Sequence, residues 1–443
     1  MAKLDQHPTV VRHRLASSRA LPGQIDAAWL RQLCLDAGAD DVGFVSIDRR
    51  ELDDQRDDLL TVLPQTKALV SLVCRMNRGP IRSPARSVSN VEFHNTGEHI
   101  NDVAHKVVSA LEAEGMRAVN PAVGFPMEMS RFPGKTWLVS HKSVAVAAGL
   151  GHMGIHRNVI HPKFGNFILL GTVLIDTAVT EQATPLDYNP CLECKLCVAA
   201  CPVGAIGPDG HFDFSACLTH NYREFMGGFS DWVGNIADSR NANDYRRRVS
   251  DPETASMWQS LSFGANYKAA YCMAVCPAGE DVIGPFLADR KGYLEDVVEP
   301  LQEKNEMVFV VPGSDAEAYV AKRFPHKKAK RVSNGTHPGS IRSFLVAFPH
   351  MFQRHRSKGL NATYHFTFTG EEPSKATVLI RDETIQVEAG HAGTSDLHVT
   401  ADSRTWLGFL AKEQSLLWAL LRRKIRLKGS PRLLLAFGKC FPS

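Results

Sequence analysis

Cys191-Leu-Glu-Cys194-Lys-Leu-Cys197-Val-Ala-Ala-Cys201-Pro202 is the stretch that decides the fold of this chain. Its spacing is C-x2-C-x2-C-x3-C-P, which is typical of loops that bind iron–sulfur clusters. In such a loop the first three thiolates hold one cluster, and the fourth points toward a second cluster. The spacing therefore predicts a protein that moves electrons.

Zinc and disulfide bonds are the two other uses of crowded cysteines. Zinc sites usually pair two C-x2-C units that lie a dozen or more residues apart, which is not the spacing seen here. Disulfides need an oxidising compartment, and the polar segment from Met1 to Gly23 lacks the apolar core of a signal peptide. No apolar run is long enough to span a membrane. We therefore expect reduced thiols in a cytoplasmic protein that is not membrane-spanning.

A second group of cysteines follows the first. Cys217 comes next, and Cys272 and Cys276, followed by Pro277, repeat the C-x3-C-P end of the first motif. In two-cluster proteins each motif lends its last cysteine to the other cluster. That rule assigns a [4Fe-4S] cluster, cluster one, to Cys191, Cys194, Cys197 and Cys276. It assigns a second iron–sulfur cluster, cluster two, to Cys201, Cys217 and Cys272.

Cluster two is one cysteine short, because Ala269 occupies the position three residues before Cys272. Three outcomes are open: a 3Fe-4S cluster, a 4Fe-4S cluster with an open or non-cysteine corner, or no second cluster. Tyr267, Tyr271 and His220 lie nearby in sequence, but their spacing selects none of them. We favour a cluster of some kind, because the other three cysteines stand in the right order.

The remaining cysteines, Cys34, Cys74 and Cys440, lie among apolar residues. Buried cysteine behaves as a small hydrophobic residue. We expect all three in the core.

Composition and charge limit the classes of protein and partner. The chain has 443 residues, 44% of them hydrophobic, and a net charge of +4. That charge is too mild to indicate a nucleic-acid partner, so none is expected. Three short basic clusters read as solvated faces: Arg246–Arg248, Lys327–Arg331 and Arg422–Lys428. The first two are candidate docking surfaces for an acidic electron donor such as ferredoxin or flavodoxin.

Hydrophobic periodicity divides the chain into four parts. A flexible leader up to about residue 20 precedes a helix that Asp26 caps and Gly38 ends, and then strands over 42–47, 68–74 and 167–175. A layered α/β domain is expected over 1–185 and a ferredoxin-like iron–sulfur domain over 186–290. A connecting segment over 291–340 and a small α+β domain over 341–443, with strands at 362–368, 376–380 and 385–387, complete the chain.

Gly149-Leu-Gly151-His-Met-Gly154 matches the G-x-G-x-x-G motif of dinucleotide-binding proteins, and it follows a possible strand at 144–148. The motif needs a helix directly after the glycines, and Pro162 and Gly165 interrupt any such helix. The glycines are expected to form a tight loop against another flat ligand, or a helix end.

The glycine loop, the segment Pro162-Lys-Phe-Gly165-Asn-Phe-Ile-Leu-Leu-Gly171 and the cysteine series together resemble the epoxyqueuosine reductase and reductive dehalogenase superfamily, over about residues 25–290. The resemblance implies a corrinoid-binding α/β domain joined to a two-cluster ferredoxin domain. It also implies that electrons pass through the clusters to the cobalt of a corrinoid such as cobalamin, which then attacks the substrate.

Two residue roles follow from the resemblance. Gly149, Gly151 and Gly154 are expected to lie near the corrinoid. Lys135 stands where epoxyqueuosine reductases have a catalytic aspartate, and His141 replaces the glutamate of the same motif. A lysine donates a proton readily when burial lowers its pKa, so Lys135 is the candidate catalytic residue; an exposed loop lysine is the alternative.

Residues 340–443 resemble the sterol-carrier-protein lipid-transfer domain, on the segments 361–370 and 427–437. The resemblance implies an apolar ligand, and it replaces the tRNA-associated tail of epoxyqueuosine reductases, so no tRNA substrate is expected. The sequence thus predicts an iron–sulfur oxidoreductase with an apolar or lipid-like substrate. The alternatives are an electron relay without chemistry of its own, and a lipid-binding protein with structural clusters.

Overall fold

The computed structural model of the chain describes residues 2–15, 23–121, 137–411 and 413–442. The helices of the N-terminal region are α1 (Ala2–Asp5), α2 (Pro8–Leu15), α3 (Ala27–Ala37), α4 (Arg56–Val62), α5 (Arg78–Arg82), α6 (Arg86–Ala113) and α7 (His141–Ala147). Its strands are β1 (Gln24–Ile25), β2 (Asp41–Ser46), β3 (Ala68–Arg75), β4 (Ala118–Val119), β5 (His152–Met153), β6 (Val159–Ile160), β7 (Ile168–Ile175) and β8 (Ala178–Val179).

The central sheet of this region has the order β2-β3-β7-β4, and each neighbouring pair is antiparallel. Side chains of β3 alternate between its faces: Val70 and Leu72 pack against α3 and α6 on one side, whereas Leu69 and Val73 pack against α7 on the other. Helices therefore cover both faces, which explains why β3 and β7 are mostly apolar, with Ser71 and Thr172 as the buried polar exceptions. This region thus has the mixed α/β content that was expected.

Several predicted boundaries are confirmed. The side chain of Asp26 accepts a hydrogen bond from Trp29 N at 2.8 Å at the start of α3, and Gly38 ends the helix with φ of 113°. Such a left-handed conformation suits glycine.

Two local predictions are wrong. Residues 2–15 form α1 and α2 where a flexible leader was expected, and Val144–Ala147 belong to α7 where a strand was considered. A short apolar run does not distinguish a buried helix from a buried strand, because in either element every residue of the run can be apolar.

The middle region carries the cysteines on short helices. These are α8 (Leu196–Ala200), α9 (Phe214–Asn221), α10 (Gly227–Ala237), α11 (Ala242–Arg248), α12 (Asp251–Phe263), α13 (Tyr271–Ala274), α14 (Gly284–Ala288), α15 (Arg290–Tyr293), a π-helical turn (Leu294–Val298), α16 (Glu299–Gln302) and α17 (Asp315–Arg323). Strands β9 (Met307–Val310) and β10 (Lys328–Arg331) pair in parallel. Val308, Val310 and Val320 share one core with Cys197 and Cys201. Much of the expected connecting segment is thus packed into the cysteine-bearing region.

The C-terminal region is built on one five-stranded sheet in the order β13-β12-β11-β14-β15. Its elements are α18 (Ile341–Ala347), two 3-10 turns (Phe348–Met351 and His355–Ser357), β11 (Ala362–Thr369), β12 (Ser374–Arg381), β13 (Thr384–Ala389), β14 (Leu397–Asp402), α19 (Ser403–Leu410), α20 (Leu416–Leu421), β15 (Ile425–Gly429) and α21 (Pro431–Lys439). Tyr364, Phe366 and Phe368 alternate along β11 into an aromatic core with Trp406 and Phe437. This confirms the half-buried strand predicted there.

Gln353 joins the C-terminal region to the middle one. Its side chain is buried, accepts a hydrogen bond from Asp315 N at 2.8 Å, and donates one to Asp213 at 3.3 Å. Asp213 in turn caps α9, the helix that carries Cys217. None of the helices in the described ranges combines the length and apolarity needed to cross a bilayer.

Candidate metal centre

The first motif wraps tightly before it becomes helical. Glu193 and Lys195 both have positive φ, at 50° and 61°, which turns the chain sharply around Cys194. Helix α8 follows at once and carries Cys197, and Cys201 ends it. Non-glycine residues with positive φ are uncommon and often mark functional loops.

Four thiols gather into a first group. Burial raises the pKa of Cys276 to about 12, and the charges of Cys194 and Cys191 add to this rise. Burial likewise raises the pKa of Cys197, with contributions from Cys272, Cys276, Cys194 and Cys191. Cys276, which comes from the second motif, also packs in one small apolar cluster with Cys191 of the first motif, so the two motifs adjoin here.

The other three thiols form a second group. Burial raises the pKa of Cys272 to about 11, and the next cause is Cys201. Burial also raises the pKa of Cys217, followed by the charges of Cys272 and Cys201. Cys201 packs in the same apolar core as Cys217 and Cys272, which lie outside its own motif. The charge of Cys272 also acts on Cys197 and Cys276, so the two groups adjoin, and the division of the ligands between two clusters stays a prediction.

The two groups fit iron–sulfur clusters as donor sets. Crowded thiols repel one another as thiolates, and bound cations relieve that repulsion. In the described part of the chain no three His, Cys, Asp or Glu side chains are placed to share a single metal ion. An iron–sulfur cluster differs from a single ion, because each of its iron atoms takes a separate thiolate. Cys201 Sγ also accepts a hydrogen bond from Ala205 N at 3.3 Å, which stabilises negative sulfur.

Two polar side chains flank the second group. Lys142, at the start of α7, donates to Arg157 O at 2.7 Å and to Asn158 Oδ1 at 2.9 Å. Asn158 Nδ2 lies 3.9 Å from Cys272 Sγ. The Lys142 charge lowers the thiol pKa of both Cys217 and Cys272. Lys142 as a whole residue is exposed, but its ammonium group lies among protein atoms, and this burial lowers the pKa of Lys142.

Ala269, at the position of the missing cysteine, is buried in the same core as the other cysteines. Its backbone N–H and that of Ala270 both donate to Asn221 Oδ1 at 2.9 Å. Ala270 has a φ of 55°. The backbone at the position of the missing cysteine is therefore held in place, but the side chain there carries no thiol.

The three side chains that lie near this motif in sequence differ in their surroundings. Tyr271 donates to Glu306 at 2.6 Å, and His220 accepts from Phe309 N at 3.3 Å, so both have partners away from the thiols. Tyr267 contacts Tyr222 with the two rings tilted at 60° and their centroids 5.7 Å apart. Burial raises the pKa of Tyr222, and the next cause is the charge of Cys217. Tyr222 is therefore a neighbour of the second group that the sequence did not indicate.

The glycine loop is filled by the protein itself. Gly149 has a φ of 71° and ends α7, donating to Val146 O at 3.1 Å. A Cβ atom there would lie 2.5 Å from Thr184 O. A Cβ at Gly151 would lie 2.6 Å from Ile160 O, and one at Gly154 would lie 2.8 Å from His156. Close backbone packing thus explains all three glycines, and they do not form a cradle for a corrinoid.

The other residues that the sequence singled out lie away from the two thiol groups or outside the described ranges. Lys135 lies outside the described residues. His141 Nδ1 is 2.8 Å from Thr172 Oγ1 in the interior. Cys34, Cys74 and Cys440 are fully buried, which confirms their core role. Lys142 and Asn158 were missed because their nearness to Cys272 joins residues far apart in the chain, and no local pattern marks it.

Comparisons with known proteins agree with the resemblance in each part of the chain. Residues 184–207 match the 4Fe-4S binding domain, and residues 351–442 match the SCP-2 sterol transfer family. The epoxyqueuosine reductase of Gloeobacter violaceus is 26% identical over 169 residues, which are 38% of this chain and 50% of that protein. The one of Cellulophaga algicola is 31% identical over 103 residues, 21% of this chain and 33% of that protein. The chain thus covers half or less of these relatives.

Solved structures overlap only partially. Epoxyqueuosine reductase with a tRNA-Tyr epoxyqueuosine-modified stem loop is 18% identical, with a TM-score of 0.32, over 43% of this chain and 56% of that one. A B12-dependent reductive dehalogenase is 14% identical, with a TM-score of 0.39, over 71% of this chain and 39% of that one. Superpositions at this level carry no functional information.

Two expectations about partners are wrong. The curated relatives are named for epoxyqueuosine, which is a modification of tRNA, and this name overturns the exclusion of a nucleic acid and the choice of an apolar small-molecule substrate. The exclusion failed because a net charge of +4 is a sum over the whole chain. A nucleic acid responds to local charge, which that sum does not report.

Proposed function

We propose that the chain is an iron–sulfur reductase that moves single electrons through two clusters. The supporting observation is the contact between cysteines of the two motifs: Cys276 packs with Cys191, and Cys201 shares a core with Cys217 and Cys272. A crossed arrangement holds the two clusters close together, as sequential electron transfer requires. Cys191, Cys194, Cys197 and Cys276 would hold a [4Fe-4S] cluster, and Cys201, Cys217 and Cys272 the second cluster.

The protein around the second group contributes electrostatics and exclusion of water. Lys142 holds a positive charge near Cys217 and Cys272, and Asn158 fixes its ammonium. Backbone N–H groups reach the sulfur of Cys201, and apolar residues such as Val203 and Ala274 shield the motif. Charge and hydrogen bonds at the sulfur atoms favour the reduced, more negative cluster.

A corrinoid is the electron acceptor that the family resemblance implies. The glycine loop does not supply its surface, so we assign no residue to it and route no step through it. Anaerobic protein incubated with cobalamin and then desalted tests this point. Retention of stoichiometric cobalt would support a corrinoid; cobalt-free protein with intact clusters would remove it and leave electron transfer standing.

The modified tRNA nucleoside on which the relatives act is the substrate class we propose to test first. The relatives' name supports it, and the change of the catalytic aspartate to Lys135 does not oppose it, because a lysine also donates protons. Lys135 stays our candidate proton donor.

The experiment uses the full chain, reconstituted with iron and sulfide without oxygen and reduced by dithionite. Incubation with an epoxyqueuosine-containing stem loop should reoxidise the clusters and change the mass of the nucleoside. Cys272→Ser, which removes a ligand of the second cluster, is the matched control and should yield no changed nucleoside. Reoxidation by a protein acceptor with no nucleoside product would instead identify an electron relay. Protein that takes up no iron would overturn the proposal.

A further inference from the structure

The C-terminal region exposes an apolar helix face. On α20, Leu417, Trp418 and Leu421 are 72%, 62% and 75% exposed, whereas Ala419 is buried in the aromatic core. Leu421 is four residues after Leu417 and three after Trp418, so it adjoins both on the helix surface. A short helix thus presents a leucine–tryptophan patch to water.

Helix α21 continues this surface chemistry. Leu435 is 65% exposed and lies between the exposed Arg432 and Lys439 on that helix. Helix α20 packs over β15 and α21 over β14, and these two strands are neighbours on one sheet. The outer sides of α20 and α21 therefore point away from the same face of the sheet.

The charge of this surface is one-sided. Residues 416–440 contain seven basic side chains and no aspartate or glutamate. Arg422, Arg423, Lys424, Arg432 and Lys439 lie on or beside the two helices. Arg426 and Lys428 alternate on β15 with Ile425 and Leu427, which face the aromatic core, so these two lie on the opposite face of the sheet. Arg422 also lies over the ring of Trp418, with its guanidinium carbon 5.5 Å from the ring centroid, so charge and apolar surface adjoin directly.

The other two basic clusters are neutralised within the fold. Arg247 pairs with Asp244 at 2.9 Å, and Lys330 pairs with Glu253 at 2.6 Å. In contrast, Arg422–Lys428 form no ion pair with any residue in the described ranges, although all but Ile425 and Leu427 are exposed. Unpaired cations beside exposed leucines need a partner that is both negative and apolar.

We propose that α20, the turn Arg422–Lys424 and α21 form a docking surface for an anionic lipid bilayer. A bilayer interface offers anionic headgroups to the five cations on this side of the sheet and acyl chains to the leucines and Trp418. An RNA backbone would satisfy the cations but leave the leucines in water. A second copy of the chain would bring two strongly positive surfaces together. The proposal does not depend on the reductase activity.

Vesicles test the proposal on the full, cluster-loaded chain. Co-sedimentation is measured with phosphatidylcholine vesicles and with vesicles that also contain phosphatidylserine. We expect binding only to the anionic vesicles, weakening as salt rises. Brominated lipids should quench the Trp418 emission, and Trp418→Phe should remove the quenched component.

Variants separate the two components of the surface. Leu417→Ser with Leu421→Ser, and Arg422→Gln with Arg423→Gln, should each weaken binding on the order of tenfold or more. The matched control is Arg342→Gln with Val346→Ser, an exposed basic and apolar pair on α18 of the same region. The visible spectrum of the clusters confirms that each variant is folded. Equal binding by control and surface variants would overturn the proposal, as would RNA binding without vesicle binding, or self-association that the same substitutions abolish.

Discussion

Asn158 stands between Lys142 and Cys272. Its Oδ1 accepts a hydrogen bond from the Lys142 ammonium at 2.9 Å, and its Nδ2 lies 3.9 Å from the Cys272 sulfur. The amide links a cation on the α/β domain to a thiol of the cysteine-bearing region. The two regions therefore meet at the second thiol group, where electrons would leave for a substrate.

Replacing Lys142 with methionine should lower the reduction potential of the second cluster. The reduced cluster carries one more negative charge, and the lost ammonium no longer stabilises it, so we expect a fall on the order of tens of millivolts. A redox titration followed by electron paramagnetic resonance measures this. Lys142→Arg keeps the charge and should leave the potential near the wild-type value; equal shifts in both variants would mean that charge is not the cause.

Ala269→Cys should complete the ligand set of the second cluster. Ala269 is buried in the core that contains Cys201, on backbone held by Asn221. A cysteine there stands at the spacing of a full motif. Two four-iron clusters contain about eight iron atoms per chain, so the iron content should rise to that value if the second cluster is a three-iron form and otherwise stay there. Any signal of an oxidised three-iron cluster should disappear. Cys74→Ala, which changes a core cysteine, serves as the control. A three-iron signal that persists in Ala269→Cys would show that this corner is not the open one.

His156 should make the protein sensitive to mild acid. Burial, followed by the charge of Lys142, lowers the pKa of His156 to about 4 from 6.5. The unfolded chain therefore binds a proton before the folded chain does as pH falls below 6.5. Folding should lose up to about 3 kcal/mol from this residue between neutral pH and its folded pKa, and nothing above neutral pH.

His156→Gln removes that titration. Thermal midpoints of wild type and variant are compared near neutral pH and in mild acid. Wild type should lose more stability than the variant on acidification, because only wild type contains the titrating histidine. The acid lability of the clusters is common to both proteins and cancels in the comparison. A parallel loss in the two proteins would contradict the assignment.

The closeness of the cysteines of the two motifs could be predicted from the sequence, because ligand spacing is a local property with few alternatives. Which cysteines share a cluster stays a prediction. The sequence predicted α3 because Asp26 and Gly38 are strong end signals. It could not find Lys142 or Tyr222, since each reaches the thiols only through the folded chain. It also suggested a ligand at Gly149, where the structure shows the end of α7 against Thr184. Close contacts between distant segments are invisible to a motif.

The basic clusters show the same limit. The sequence treated Arg246–Arg248, Lys327–Arg331 and Arg422–Lys428 alike. Residues of the first two clusters form ion pairs with acidic side chains, such as Lys330 with Glu253, which is 77 residues away in the chain. Only the fold reveals such a partner. The third has none in the described ranges, and this distinction separates solvated charge from a candidate interface.

The crossing of ligands between motifs is the central claim, and Cys276→Ser tests it most directly. Anaerobically loaded protein is examined by electron paramagnetic resonance and iron analysis, beside Cys201→Ser. We predict that Cys276→Ser, although it changes the second motif, loses the signal of the first cluster and keeps the second, and that Cys201→Ser does the reverse. If each substitution instead removed the cluster of its own motif, or if both proteins bound zinc and no iron, the account would be contradicted.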